Sequence, residues 1–310
     1  MIFSVLFPVL SIATAGYSAA RFRLFTSGDC DTLARFTFNV LTPCLLFVST
    51  ARSDIGLDEG LKFLAGYYLA ALGVYALAVV LGKHWFAYGH KEQSVFAMGS
   101  AYSNTTIVGI PIVAQALGEE ALVPLFLIIS VQNLVLFTVG TITGEREHLS
   151  TDTVVKTVGK LLRQLMSSPI TASLILGLTV NLAGIAIWNP LFDSIELLSQ
   201  AAIPASLFVL GTSLRQYHVR DQVLPAIVMS VMKIVMLPAA VWFTLFVLFN
   251  VDPLWATVGV LGSAMPVGIS AYVFANRYQC AHAAVAAGSL ISALSSIVTI
   301  SVLLWLLTGA

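Results

Sequence analysis

The feature that most constrains this chain is a series of apolar runs, each about as long as the hydrocarbon core of a bilayer is thick. They lie near residues 2–20, 33–50, 61–82, 93–115, 120–142, 165–186, 195–214, 223–249, 254–275 and 282–308. A helix rising about 1.5 Å per residue needs about 20 apolar residues to cross about 30 Å of hydrocarbon. Ten such runs in 310 residues predict an all-α polytopic membrane protein of ten transmembrane helices, with no room for a soluble domain. Composition agrees, with 58% apolar and 10% charged residues against roughly 45–50% and 25% in a soluble domain. Fifteen basic residues balance fifteen acidic ones. Without a basic face to collect phosphates, nucleic acid is excluded and the lipid bilayer is the first partner. Cys30, Cys44 and Cys280 lack zinc-type spacing, so reduced, inert thiols are expected, with no metal and no cofactor. No basic segment precedes the first run, which therefore reads as a span and not as a cleaved signal.

Lys and Arg set the orientation, because cytoplasmic connectors hold their excess. The odd-numbered connectors hold twelve of the fifteen: Arg21, Arg23, Arg35, Lys83, Lys91, Arg146, Lys156, Lys160, Arg163, Arg215, Arg220 and Arg277. Both termini are expected outside the cytoplasm. The longest connector, 143–163, is polar and basic and divides the chain into two five-span halves, 1–142 and 164–310. These halves match. Pro8 and Gly16 recur as Pro169 and Gly177, and the run Pro43 to Val48 as Pro204 to Val209, all at an offset of 161 positions. Gly99-Ser100-Ala101 recurs as Gly262-Ser263-Ala264 at 163. An odd number of spans per copy makes the expected arrangement a 5+5 inverted repeat, as in secondary transporters.

After each Gly-Ser-Ala triplet the helical pattern fails. Span four continues Tyr102-Ser103-Asn104-Thr105-Thr106-Ile107-Val108-Gly109-Ile110-Pro111, and span nine Met265-Pro266-Val267-Gly268-Ile269-Ser270. Pro111 and Pro266 cannot donate a backbone bond, and Gly109 and Gly268 permit non-helical dihedrals. Both breaks fall roughly 16–20 Å into the bilayer, counted at 1.5 Å per residue. Unwound backbone at that depth must be buried in protein or line a wet cavity. Two broken helices from opposite faces would bring half-helix N-termini together, where free N–H groups suit a carboxylate. The alternative is that Pro and Gly only kink ordinary spans. Candidate site residues are therefore Asn104, Thr105, Thr106, Gly109 and Pro111 with Pro266, Val267, Gly268 and Ser270. Gln132, Asn133, Asn39 and Thr42 are further polar groups inside spans, of a kind that also joins neighbouring helices.

One charge lies deep in a span. Lys233, about ten residues into span eight, is expected to replace a mobile cation beside the crossing, or else to cap a carbonyl structurally. Every acidic residue falls in or beside a connector, so no buried carboxylate is expected to bind Na⁺ or relay protons. His84, His90, His148, His218 and His282 lack partners at metal spacing and read as surface or structural residues. Trp85, Trp188 and Trp255 sit at expected interfaces. No hydrolase or nucleotide-binding motif occurs, which excludes an enzyme or pump of those classes.

The segment Asn104 to Pro111 resembles the fourth-helix signature of the auxin efflux carrier family. Pro266-Val267-Gly268-Ile269, with Val273-Phe274-Ala275 and Tyr278, resembles its ninth-helix signature. Phe25-Thr26 with Cys30, Pro43 to Leu46, Pro204 to Leu214, and Lys233 with Pro238 extend the likeness over nearly the whole chain. The resemblance implies a bacterial member similar to plant auxin exporters and related in architecture to bile acid symporters and sodium/proton antiporters. It implies crossed broken helices, a dimerising scaffold of spans one, two, six and seven, a transport domain of spans three to five and eight to ten, and an elevator motion. Family members move organic anions, from indole acetate to malonate and malate. Thr106 stands where many bacterial members have Gly, and Ser270 where they have Asn, so the substrate is not carried over. The expectation is an inner-membrane exporter of small carboxylates. A Na⁺- or H⁺-coupled carrier would share the fold but need buried carboxylates; a membrane sensor would be expected to carry a signalling domain.

Overall fold

The computed structural model describes residues 2–52, 57–147, 159, 163, 167–185, 187–213 and 222–308. Among them the regular elements are all helical, and the sole strand-like feature is an isolated bridge between Ser103 and Val267. The helices are α1 (Ile2–Arg21), α2 (Ser27–Phe36), α3 (Thr42–Arg52), α4 (Leu57–Phe86), α5 (His90–Ala101), α6 (Ile110–Leu117), α7 (Leu122–Gly144), α8 (Pro169–Leu182), α9 (Asn189–Gln200), α10 (Ala202–Ser213), α11 (Val223–Val231), α12 (Leu237–Trp242), α13 (Pro253–Ser263), α14 (Ile269–Tyr278) and α15 (His282–Thr308). Six helical stretches among the described residues are long and apolar enough to span a bilayer: Gly28–Arg52, Glu59–Phe86, Glu119–Gly144, Asn189–Thr212, Val223–Leu248 and His282–Thr308. The chain is a multi-pass membrane protein. Of the connector 143–163, residues beyond Glu147 other than 159 and 163 lie outside the described residues, as do His148, Lys156, Lys160, Arg215, His218 and Arg220.

Local chemistry accounts for where helices start. Thr26 and Asp29 form a capping box at α2, Asp29 Oδ2 accepting from Thr26 N at 2.8 Å. Asp252 accepts from Leu254 N at 2.9 Å and Trp255 N at 3.2 Å, and Pro253 opens α13, where its missing N–H costs nothing. Three prolines inside long helices share one solution. Pro43 follows the π-helical turn Thr37–Leu41, Pro111 follows Thr105–Gly109 and Pro238 follows Met232–Met236. A proline ring collides with the carbonyl four residues back, and the wider π turn moves that carbonyl aside without ending the helix.

This corrects one expectation. Gly109 adopts φ −69° and ψ −47°, and Pro111 sits in the first turn of α6, so both are helical. The interruption of span four falls directly after the Gly-Ser-Ala triplet, as expected, between α5 and the turn starting at Thr105; span nine is interrupted between α13 and α14.

The chain forms two compact units. The first comprises Met1–Gly56, Thr106–Ser130 and Gln164–Gln216. In it α1 packs on α10, α3 on α8 and α9, and α6 on α1 and α10. Its helices approach backbone to backbone at glycines: a Cβ on Gly16 would collide with the Phe208 carbonyl, and one on Gly177 with the Thr50 side chain and, at 2.8 Å, with the Phe47 carbonyl. Arg52 Nη1 bonds Glu196 Oε1 at 2.8 Å. The second unit comprises Leu57–Thr105, Val131–Arg163 and Tyr217–Ala310. There α4 and α14 pack on α5, and α11 on α15. At one end of this unit His90, Glu145, Glu147 and Arg277 border a 630 Å³ cavity, with Arg277 Nη2 on Glu145 Oε1 at 2.6 Å and His90 Nε2 by Glu147 Oε1 at 3.1 Å. Asp252 N donates to Glu59 Oε1 at 2.6 Å elsewhere in it.

Candidate functional site

The interruptions of spans four and nine meet in the second unit. Asn104 N donates to Pro266 O and Gly268 N to Tyr102 O, each at 3.0 Å, making a two-rung antiparallel crossing around Ser103 and Val267. In such a pair the N–H and C=O of the two central residues point away from each other's strand. Buried in an apolar bundle, these groups need partners from elsewhere. Ser103 O accepts from Gln132 Nε2 at 2.9 Å, and Val267 N donates to Ser292 Oγ at 3.0 Å. Thr105 Oγ1 lies 3.4 Å from Gln132 Oε1.

Helix ends bring partial charges to the same place. α5 and α13 terminate at the crossing, and α14 starts there from Gly268, whose cap has no side-chain hydrogen bond. The N-terminal N–H groups of α14 thus form a donor site suited to an anion. Lys233 is fully buried in the π turn of span eight, and its Nζ donates to Ser263 O, the last carbonyl of α13. Ser103 Oγ reaches the same carbonyl at 3.4 Å.

An aromatic wall flanks the crossing. Tyr102 donates its O–H to Asn133 Oδ1 at 2.6 Å. Its ring is 6.0 Å from Phe137, which packs edge-on to Phe274 at 5.0 Å. Tyr102 occupies the Asn133 oxygen, which leaves the NH₂ donors of that exposed amide for other partners.

Of the residues singled out from sequence, Asn104, Thr105, Gln132, Asn133, Lys233, Pro266, Val267, Gly268 and Ser270 come together here. Thr106, Gly109, Pro111 and Asn39 belong to the first unit. Asn39 is exposed in the π turn of span two, and Thr42 is buried with its hydroxyl unbonded. Tyr102, Ser103, Ser263 and Ser292 join the site without having been singled out as ligands. Among the described residues no Asp or Glu is buried, and no three His, Cys, Asp or Glu side chains converge on a metal position. Cys280 lies in the connector after α14, where burial and then the nearby Glu92 carboxylate push its thiol above the ordinary range.

Residues 1–304 match a family described as membrane transport protein. The chain belongs to this family, the auxin efflux carrier type. As a family member it is a membrane transporter. It is 25% identical over 306 residues to a Rhizobium meliloti (strain 1021) protein named "Putative malonate transporter", covering 97% of this chain and 94% of that one. It is also 25% identical over 308 residues to an uncharacterized transporter of Methanocaldococcus jannaschii, covering 98% of each.

Proposed function

We propose that this transporter carries small organic anions, carboxylates above all, by alternating access at the crossing of spans four and nine. The observation that carries the reading is the crossing itself. Peptide groups freed from two helices deep in an apolar chain are held by fixed partners, and the uncapped start of α14 lies beside them. In this reading the carboxylate sits on that helix start and on the Asn133 amide, with Asn104, Thr105, Pro266, Val267 and Ser270 shaping the pocket. Protonated Lys233 supplies the positive charge that a bound Na⁺ would otherwise bring. The lack of buried carboxylates among the described residues supports transport uncoupled from cations.

The architecture we propose is ten spans in a 5+5 inverted repeat, in a bacterial inner membrane, with both termini outside the cytoplasm. Two observations support it. The paired contacts Gly16 with Phe208 and Gly177 with Phe47 exchange under the 161-position offset, as a two-fold relation requires. Polar bonds join odd connectors to odd and even to even: Arg277 with Glu145, and Asp252 with Glu59. Spans one, two, six and seven would form a dimerising scaffold, with 57–142 and 223–308 moving as an elevator.

The test is flux in proteoliposomes of radiolabelled malonate, malate and indole-3-acetate, with and without Na⁺ and pH gradients. Uptake of one of these acids, indifferent to either gradient, is expected. Absence of flux for all three overturns the carboxylate reading, and strict dependence on a cation gradient overturns the uncoupled one. The Rhizobium relative's name makes malonate the first acid to try.

A further inference from the structure

We propose that Ser292 is a positioning residue of the transport site: its hydroxyl fixes the unwound segment of span nine in the conformation that presents the start of α14 to substrate. The inference rests on the reading of the crossing as the substrate site.

Val267 is the central residue of the crossing on the span-nine side, and its N–H faces away from span four. No backbone group of the bridge can accept it. Val267 is 2% exposed and Ser292 fully buried, so water does not substitute. The Ser292 hydroxyl donates to Ser289 O at 3.1 Å, which leaves its lone pairs for Val267 N at 3.0 Å. Donation to the serine's own helix also sets the rotamer, so the acceptor is aimed before the segment arrives. On the span-four side Gln132 does the complementary task, holding Ser103 O by its amide N–H. Gln132 lies in span five and Ser292 in span ten, 160 positions apart, close to the offset that relates the two halves. Each half thus ends in a helix that grips the interruption of the helix before it. Val267 is directly followed by Gly268, the cap residue of α14. A shift of the Val267 peptide therefore moves the anion-binding end of α14, whereas α15 itself gains helix propensity when Ser292 becomes Ala.

The experiment compares wild type, Ser292→Ala, Ser292→Thr and, as a control on the same helix, Ser289→Ala. Amide exchange at Val267 is resolved by fragmentation, melting temperature is recorded, and saturation kinetics are measured with whichever of malonate, malate and indole-3-acetate wild type carries fastest. Ser292→Ala is expected to exchange Val267 at least tenfold faster, to raise the half-saturation concentration about tenfold and to leave melting within a few degrees. Ser292→Thr, which keeps the hydroxyl, is expected to restore Val267 protection, and Ser289→Ala to behave as wild type. Unchanged exchange at Val267 in Ser292→Ala overturns the proposal, and so does raised exchange with unchanged half-saturation. If wild type carries none of the three acids, the carboxylate reading fails, and Ser292 is judged on Val267 protection, where an unchanged rate overturns it.

Discussion

Single residues at this crossing act by completing hydrogen bonds that the backbone cannot make for itself. Lys233 illustrates the cost of removing one. Lys233→Met keeps most of the side-chain volume but takes the donor from Ser263 O, a buried carbonyl at a helix end. A hydrogen bond to a charged group contributes about 1.5–3 kcal/mol, while deleting a buried charge recovers desolvation energy. The two nearly cancel, so melting should move little. Transport should fall at least tenfold, because the positive charge opposite the anion is gone; initial flux rates beside melting curves check both halves. Glycines give a second contrast of scale. Gly16→Ala drives a Cβ into the Phe208 backbone, which cannot swing away, and should cost about 1–3 kcal/mol. Gly73, inside α4, has nothing within 4 Å of the same position, so Gly73→Ala should stabilise by about 0.5–1 kcal/mol. Thermal unfolding of the two variants should shift in opposite directions.

At the scale of elements, the π turns determine which way the polar groups point. A π turn holds one extra residue, so relaxing it to α-helix rotates everything on one side by about 100°. Lys233 lies inside the π turn before Pro238. Pro238→Ala removes the ring that needs the wide turn, and the turn should anneal, carrying Lys233 off Ser263 O. The expected result is transport reduced about tenfold with melting unchanged or raised, since a helical proline costs about 3 kcal/mol relative to alanine. Equal loss of transport and stability would show instead that the turn serves only packing. These turns also explain what was legible in the sequence. Pro266 and Gly268 mark the span-nine interruption because no π turn precedes them. Gly109 and Pro111 have the same composition but mark a widened helix, and the true interruption at Tyr102 to Asn104 contains no helix breaker. It exists because span nine offers hydrogen bonds there; the expected break directly after the Gly-Ser-Ala triplet was rightly placed but ascribed to Gly109 and Pro111. Ser292 was hidden for a related reason: a serine in an apolar helix commonly bonds its own backbone, as Ser296 does to Ala293 O, and nothing local distinguishes the one that also accepts from Val267.

For the whole molecule, the decisive quantity is where charge lies relative to the bilayer. Six spanning helices were legible from apolar runs because lipid tolerates no other composition, and the one buried Lys among the described residues stood out for the same reason. The division into units was not legible, because α7 and the span-four helix each contribute to both and apolar sequence does not record which neighbour a helix packs on. A carrier with a fixed Lys and no mobile co-ion moves net negative charge with each monocarboxylate. One charge crossing about 100 mV gains about 2.3 kcal/mol, and about 1.4 kcal/mol is a factor of ten. In vesicles holding a 100 mV potassium diffusion potential, positive inside, a carried monocarboxylate such as indole-3-acetate should therefore accumulate about 50-fold at steady state. Reversing the potential should empty them. Accumulation indifferent to potential but following an imposed Na⁺ or pH gradient would mean that a co-ion neutralises the substrate, and Lys233 would then lose its role as the standing counter-charge.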